Sequence, residues 1–155
     1  MSKVFISYSS LDKVIALKLA NDLRSNNHNP WIDQHGIVGG DKWPTTIVQA
    51  IRDCDCIVLL MSPNSLGSDN VRKELHISVD EHKPIIPIKI APIEKIPDDF
   101  RYHLAGLQHI DFIGNYNDGF QKLESRIDSS NSSKEQQQRD SLIVDTSSWT
   151  GIATR

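Results

Sequence analysis

The sequence predicts an α/β protein in which a parallel sheet is wrapped on both faces by helices, in a doubly wound, flavodoxin-like layout. Two observations carry this. Short apolar, β-branched runs alternate with amphipathic helical segments about five times along the chain. One run, C-I-V-L-L-M-S-P at residues 56–63, is apolar almost throughout, as strands buried on both faces are. Right-handed crossovers then place helices on alternate faces.

Taken in order, K-V-F-I-S-Y (residues 3–8) is β-branched and aromatic, and reads as a strand. Ser9 is placed to cap a helix, with Asp12 three residues on in a capping-box-like position. Leu11, Ile15, Leu19 and Leu23 recur every four residues as one apolar stripe. S-N-N-H-N ends that helix, and P-W-I-D (30–33) forms a short second strand. Q-H-G-I-V-G-G-D-K (34–42) is a loop whose glycines tolerate unusual backbone angles. W-P-T-T-I-V-Q-A-I-R-D (43–53) opens a second helix, with Pro44 suited to its first position.

After the buried strand, N-S-L-G-S-D-N reads as a loop. V-R-K-E-L-H-I-S-V-D-E (71–81) reads as a third helix, burying Val71, Leu75 and Val79. K-P-I-I-P-I-K-I (83–90) is a further strand, and its prolines suggest an edge position or an interruption at its ends. Residues 91–106 form a long connection with one short helical turn. L-Q-H-I-D-F is the last strand and D-G-F-Q-K-L-E-S-R-I the last helix. This gives one folded domain over 1–127. From Asp128 the chain turns polar, so 128–155 is expected to be a disordered linker and tail. Within it, L-I-V-D-T-S-S-W is more apolar and suits a docking segment.

Composition excludes several classes. With 155 residues and a net charge of −3, the chain lacks the basic balance of a non-specific nucleic-acid binder. No apolar run is long enough to cross a bilayer, and no signal-peptide pattern opens the sequence, so the expected location is the cytoplasm. Cys54 and Cys56, the only cysteines, are too close for an unstrained disulfide and too few for a zinc site. They read as small buried thiols. His28, His35, His103 and His109 show no catalytic spacing, and no metal is expected.

V-F-I-S-Y-S-S, W-I-D-Q-H-G-I-V-G-G-D-K-W, A-I-R-D-C-D-C-I-V-L-L-M-S-P-N-S and V-R-K-E-L, in that order, resemble the bacterial form of the TIR domain (Toll/interleukin-1 receptor homology), over roughly residues 3–127. The resemblance implies a five-stranded parallel sheet and one of two roles. Many such domains cleave NAD+ at the nicotinamide N-glycosidic bond, giving nicotinamide and ADP-ribose or a cyclic form. Others are non-catalytic scaffolds that bind further TIR domains. A setting in bacterial defence, innate immunity or other signalling is implied with it, as is a sensing or effector domain joined through the C-terminal linker.

The same resemblance assigns residues. Glu74 falls on the catalytic glutamate, early in the helix after the third strand. The loop from Gln34 to Trp43, with Gly36, Ile37, Gly39, Gly40 and Asp41, matches a mobile loop that covers substrate and mediates assembly. Trp43 matches its aromatic platform and Asp33 the acid at its start. Ser9 and Ser10 stand where phosphate- or ribose-facing residues often lie, and Lys42 can add charge near the phosphates. Cleaving members often carry Trp four residues before the glutamate. Here Asn70 stands there, able to cap the helix or bond a ribose but not to stack.

The chemistry fits a single carboxylate. Nicotinamide leaves NAD+ as a neutral base and needs little acid catalysis, whereas the ribose passes through an oxocarbenium-like state. One carboxylate beside the sugar stabilises that charge with no metal or added cofactor. Each residue also has an ordinary reading: Glu74 as a solvated helix acid, Ser9 as a cap, Asp33 as a strand end, Lys42 as a loop charge, Trp43 as a hydrophobic anchor. A phosphoacceptor receiver domain is rejected, since S-Y-S-S and M-S-P stand where its aspartates would be. A nucleoside deoxyribosyltransferase-like enzyme remains a minor alternative.

Overall fold

The computed structural model describes residues 1–32 and 43–131, with the side chains of all but 43 and 44. Five strands form one sheet: β1 (Lys3–Ser7), β2 (Asn29–Ile32), β3 (Cys56–Met61), β4 (Ile85–Lys89) and β5 (Ile110–Asp111). Their order across the sheet is β2-β1-β3-β4-β5, and every pairing is parallel. The helices are α1 (Lys13–Ser25), α2 (Trp43–Asp53), α3 (Pro63–Leu66), α4 (Asp69–Asp80), α5 (Asp98–Leu104) and α6 (116–131). Residue 127, the expected domain boundary, lies inside α6.

Strand alternation sorts the core into two layers. Val4, Ile6, Val58, Leu60, Ile86 and Ile88 face α1 and α6, meeting Leu19, Leu23, Leu123 and Ile127. On the other face Phe5 and Ile57 meet Ile47 and Ile51 of α2. Leu59 and Met61 meet Leu75 of α4 and Phe100 of α5. Central β3 is buried at all six positions, as its unbroken apolar run predicts.

Three local expectations are corrected. Leu11 is 77 % exposed, because residues 10–12 form a 3-10 turn ahead of α1 and rotate Leu11 off the stripe. The buried set of α1 is Ala16, Leu19, Ala20 and Leu23. The segment read as loop from Asn64 contains α3, started by a reciprocal cap: Ser65 N–H donates to Ser62 Oγ at 3.0 Å and Ser62 N–H to Ser65 Oγ at 2.9 Å. Strand β4 is internal, with β3 and β5 on its two sides, which removes the edge alternative, while Pro84 stands just before its first residue.

Pro87 is tolerated in β4 for a geometric reason. Alternate residues of a parallel strand bond to opposite neighbours. Ile90 N–H donates to Met61 O, whereas Lys89 O accepts from Phe112 N–H, so the odd positions of β4 face β5. Pro87 is one of these, and β5 begins only opposite Ile88. The missing N–H therefore falls ahead of the short strand and costs no ladder bond.

Candidate active site

The site grows from the start of α4. Ser68 caps it, its Oγ accepting from Val71 N–H at 3.3 Å, and Asp69 in the first turn suits the positive end of the helix. The cap is thus Ser68, which removes the first of the two alternatives for Asn70, capping the helix or bonding a ribose. With 3.6 residues per turn, Val71, Leu75 and Ser78 turn inward, and so does Glu74 between them. Glu74 is 2 % exposed. Burying a carboxylate is costly unless donors meet it. Ser7 Oγ supplies one, donating to Glu74 Oε1 at 2.6 Å, a short charge-assisted contact if the acid is ionised. Ser78 Oγ donates to Glu74 O at 2.7 Å and fixes the same turn.

Ser7 reaches Glu74 because it lies two residues after Phe5, on the face of β1 that turns to α2 and α4. It is the last residue of β1 and sits opposite Leu59 of β3. Here the chain order switches direction, with β2 on one side of β1 and β3 on the other. Open parallel sheets bind ligands just beyond the strand ends at such a switch point. Glu74 is therefore placed where this fold receives a ligand. The solvated-acid reading does not fit a carboxylate buried this deeply.

Polar groups knit the rim around this point. Asp12 accepts from Ser62 Oγ at 2.5 Å and from Asn64 Nδ2 at 3.0 Å, tying the turn after β1 to the turn after β3. Asp12 thus bridges two loops instead of completing a capping box. Ser9, buried at the rim, caps the 3-10 turn, its Oγ accepting from Leu11 N–H at 3.3 Å. Ser10 is exposed. Asn70 is exposed one helical turn before the buried Glu74, so the two share a ridge at different depths. Asp33, Gly36, Ile37, Gly39, Gly40, Asp41 and Lys42 lie outside the described residues, and Trp43 is described only as the first residue of α2.

Sequence reading missed Ser7, and it gave Asp12 a capping role in place of the bridge it makes. The signal for Ser7 was present, since period-2 alternation from Phe5 puts it on the α4 side. Nothing local announces the bridge from Asp12, because its partners lie some fifty residues away. Among the described residues no group of three or more His, Cys, Asp or Glu could hold a metal ion, and no helix is long and apolar enough to cross a membrane.

Comparison with known proteins adds a lineage to this geometry. A family model described as "TIR domain" matches residues 4–124. A Brachypodium distachyon protein, "Probable 2′ cyclic ADP-D-ribose synthase BdTIR", is 31 % identical over 88 residues, covering 56 % of this chain and 39 % of the relative. "Uncharacterized protein y4cD" of Sinorhizobium fredii is 26 % identical over 145 residues, 89 % of this chain and 21 % of the relative. The chain thus spans well under half the length of these curated relatives. The crystal structure of the TIR domain of the Toll-related receptor TRR-2 from Hydra magnipapillata superposes with a TM-score of 0.68 at 22 % identity, covering 82 % of this chain and 98 % of that one.

Proposed function

Because the chain belongs to the TIR domain family, we propose that it is an NAD+ nucleosidase with Glu74 as the essential carboxylate. The observation that carries this is the burial of Glu74 beneath the switch point of the sheet, held there by Ser7. The Brachypodium relative, named for synthesis of a cyclic ADP-ribose, supports the same chemistry. In the reaction the C1′–N bond of the nicotinamide ribose breaks and its electron pair stays on the ring nitrogen. The carboxylate stabilises the cationic sugar. Water then attacks C1′ and loses a proton to give ADP-ribose, or a hydroxyl of the same molecule attacks to give a cyclic product. The diphosphate suits backbone N–H groups at helix starts along the rim, and NAD+ is a substrate, with no separate cofactor needed.

Assembly with further TIR domains belongs to this reading. At 2 % exposure the carboxylate meets a ribose only after the neighbouring rim moves. An isolated copy is therefore slow, and contacts between copies that favour the moved state speed it. A cytoplasmic role in signalling or defence follows from the same reading. The test is nicotinamide release from NAD+ over a range of protein concentrations, with Glu74→Ala beside it. Release that rises faster than linearly and vanishes in the variant supports the proposal. No release at any concentration overturns it.

A second reading has one observation behind it. Asn70, exposed at the start of α4, offers no aromatic surface to a base. A non-catalytic scaffold would need none, and in that case Glu74→Ala would leave homotypic binding intact.

A further inference from the structure

A groove of about 750 Å³ runs between edge strand β2 and helix α2, away from Glu74. Pro30 and Trp31 form one wall, Thr45, Gln49 and Ala50 the other, and Lys3 stands at its foot. The Trp31 ring is held in place by stacking on Phe5, centroids 4.9 Å apart and 11° from parallel. Among the described residues β2 is an edge strand that pairs only with β1, and an edge strand can take a further strand. The α2 wall from Thr45 to Asp53 is about 12 Å long, at 1.5 Å per helical residue. An extended segment of four residues spans about 13 Å.

The last described residue lies beside this groove. Asn131, in α6, donates from Nδ2 to Ser2 Oγ. Ser2 O in turn accepts from Asn29 N–H at 2.7 Å, and Asn29 and the adjacent Lys3 both line the groove. Residues 132–141 that follow are polar, S-S-K-E-Q-Q-Q-R-D-S, and then come Leu142, Ile143, Val144 and Asp145. Ten residues reach at most about 33 Å, enough to carry the apolar residues from the foot of the groove to any point along it.

We propose that the groove between β2 and α2 is the docking site of this chain's own segment 142–145, bound in extended form along the β2 edge. Main-chain bonds to the strand give register, and alternate apolar side chains enter the groove. The short tether raises the local concentration of the segment to the millimolar range, so a weak contact suffices. This inference does not depend on NAD+ cleavage.

The test uses the full chain, compared with the same chain carrying Leu142→Ser, Ile143→Ser and Val144→Ser, changes that leave the folded domain untouched. Amide hydrogen exchange is read at residues 29–32 and 45–53. The native tail is expected to slow exchange at the β2 edge at least tenfold relative to the variant, equally at low and high protein concentration. Equal exchange in the two chains overturns the proposal, and protection that grows with concentration overturns it in favour of a second copy. As an independent measurement, a nitroxide is attached at Ser141→Cys. Burial keeps the native thiols at Cys54 and Cys56 from competing. Broadening of the Asn29, Trp31 and Gln49 amide signals is expected; its absence overturns the proposal.

Discussion

Ser7 and Glu74 stand 67 residues apart in the chain and meet at 2.6 Å, hydroxyl to carboxylate, both buried. One ends the first strand and the other lies in the helix that follows the third, so only the sheet order brings them together. If Glu74 carries the reaction, Ser7 holds its carboxylate in place. Ser7→Ala is then expected to lower kcat for nicotinamide release by about tenfold, the equivalent of roughly 1.4 kcal/mol for a hydrogen bond to a charged group. KM should change little and Ser7→Thr should restore most of the rate. A fall confined to KM would place Ser7 in substrate binding instead.

Asp99 gives the fold an acid-sensitive tie. Its partial desolvation favours the neutral acid, but the Arg72 guanidinium, donating at 2.5 Å, outweighs this with help from backbone N–H groups and holds the carboxyl below its ordinary value of 3.8. A lowered folded value means that the unfolded chain binds the proton first. The stabilisation is therefore complete above about pH 3.8 and is lost as pH falls through the lower folded value. Both side chains are about a third exposed (32 % and 33 %), so solvent screens the pair. Asp99→Asn should lower the denaturation midpoint slightly at pH 7 and not at all below the folded value, so that the low-pH end of a plot of midpoint against pH is flatter.

The two cysteines should be inert in the native protein. Burial pushes Cys54 up to about 11 and Cys56 up to about 12 from 9.0, and the negative Asp55 between them adds to both rises. At pH 8 neither thiolate forms in the folded chain, so an aromatic disulfide reagent is expected to react only at the rate of unfolding. The sign at high pH is equally definite. Unfolded thiols ionise near 9.0 and folded ones well above it, so stability declines as pH rises past 9.0 towards about 11. Alkaline melts of Cys54→Ala and Cys56→Ala, each followed separately, check this.

Gly119 in α6 is expected to resist replacement. Alanine would gain up to about 1 kcal/mol of helix propensity. Its Cβ, however, would lie 2.7 Å from Phe112 Cδ1 and 3.0 Å from the main-chain oxygen of Asp111. Ring and strand are both packed in place, and relieving such overlap costs about 1–3 kcal/mol. The clash wins. Gly119→Ala should lower the urea midpoint, and a rise in stability would show that the β5–α6 junction yields easily.

Much of the candidate site was legible in V-R-K-E-L and in the runs before it. The helix, its place after the central strand and the carboxylate at position 74 all follow from local pattern and motif. The burial of Glu74 was not legible. The apolar stripe Val71, Leu75, Val79 describes one edge of the buried face, and Glu74 and Ser78 extend it toward β1. A helical wheel does not reveal that a serine on a distant strand makes room for an acid there. Ser68, Asp69 and Asn70 are adjacent polar residues of similar capping propensity, and only the backbone geometry at Ser68 chose among them.

By itself the sequence determined the α/β alternation, the buried central strand, the Ser9 cap and the family motifs. All of these rest on contacts between residues close in the chain, or on periodicities of two and 3.6. The tertiary structure alone decided the internal place of β4 despite Pro87, the exposure of Leu11, the bond between Ser7 and Glu74 and the bridge from Asp12 to Ser62 and Asn64. Each depends on partners some twenty to seventy residues away or on the offset of one backbone turn. Local propensity carries no information about such partners, because they become neighbours only when the sheet forms.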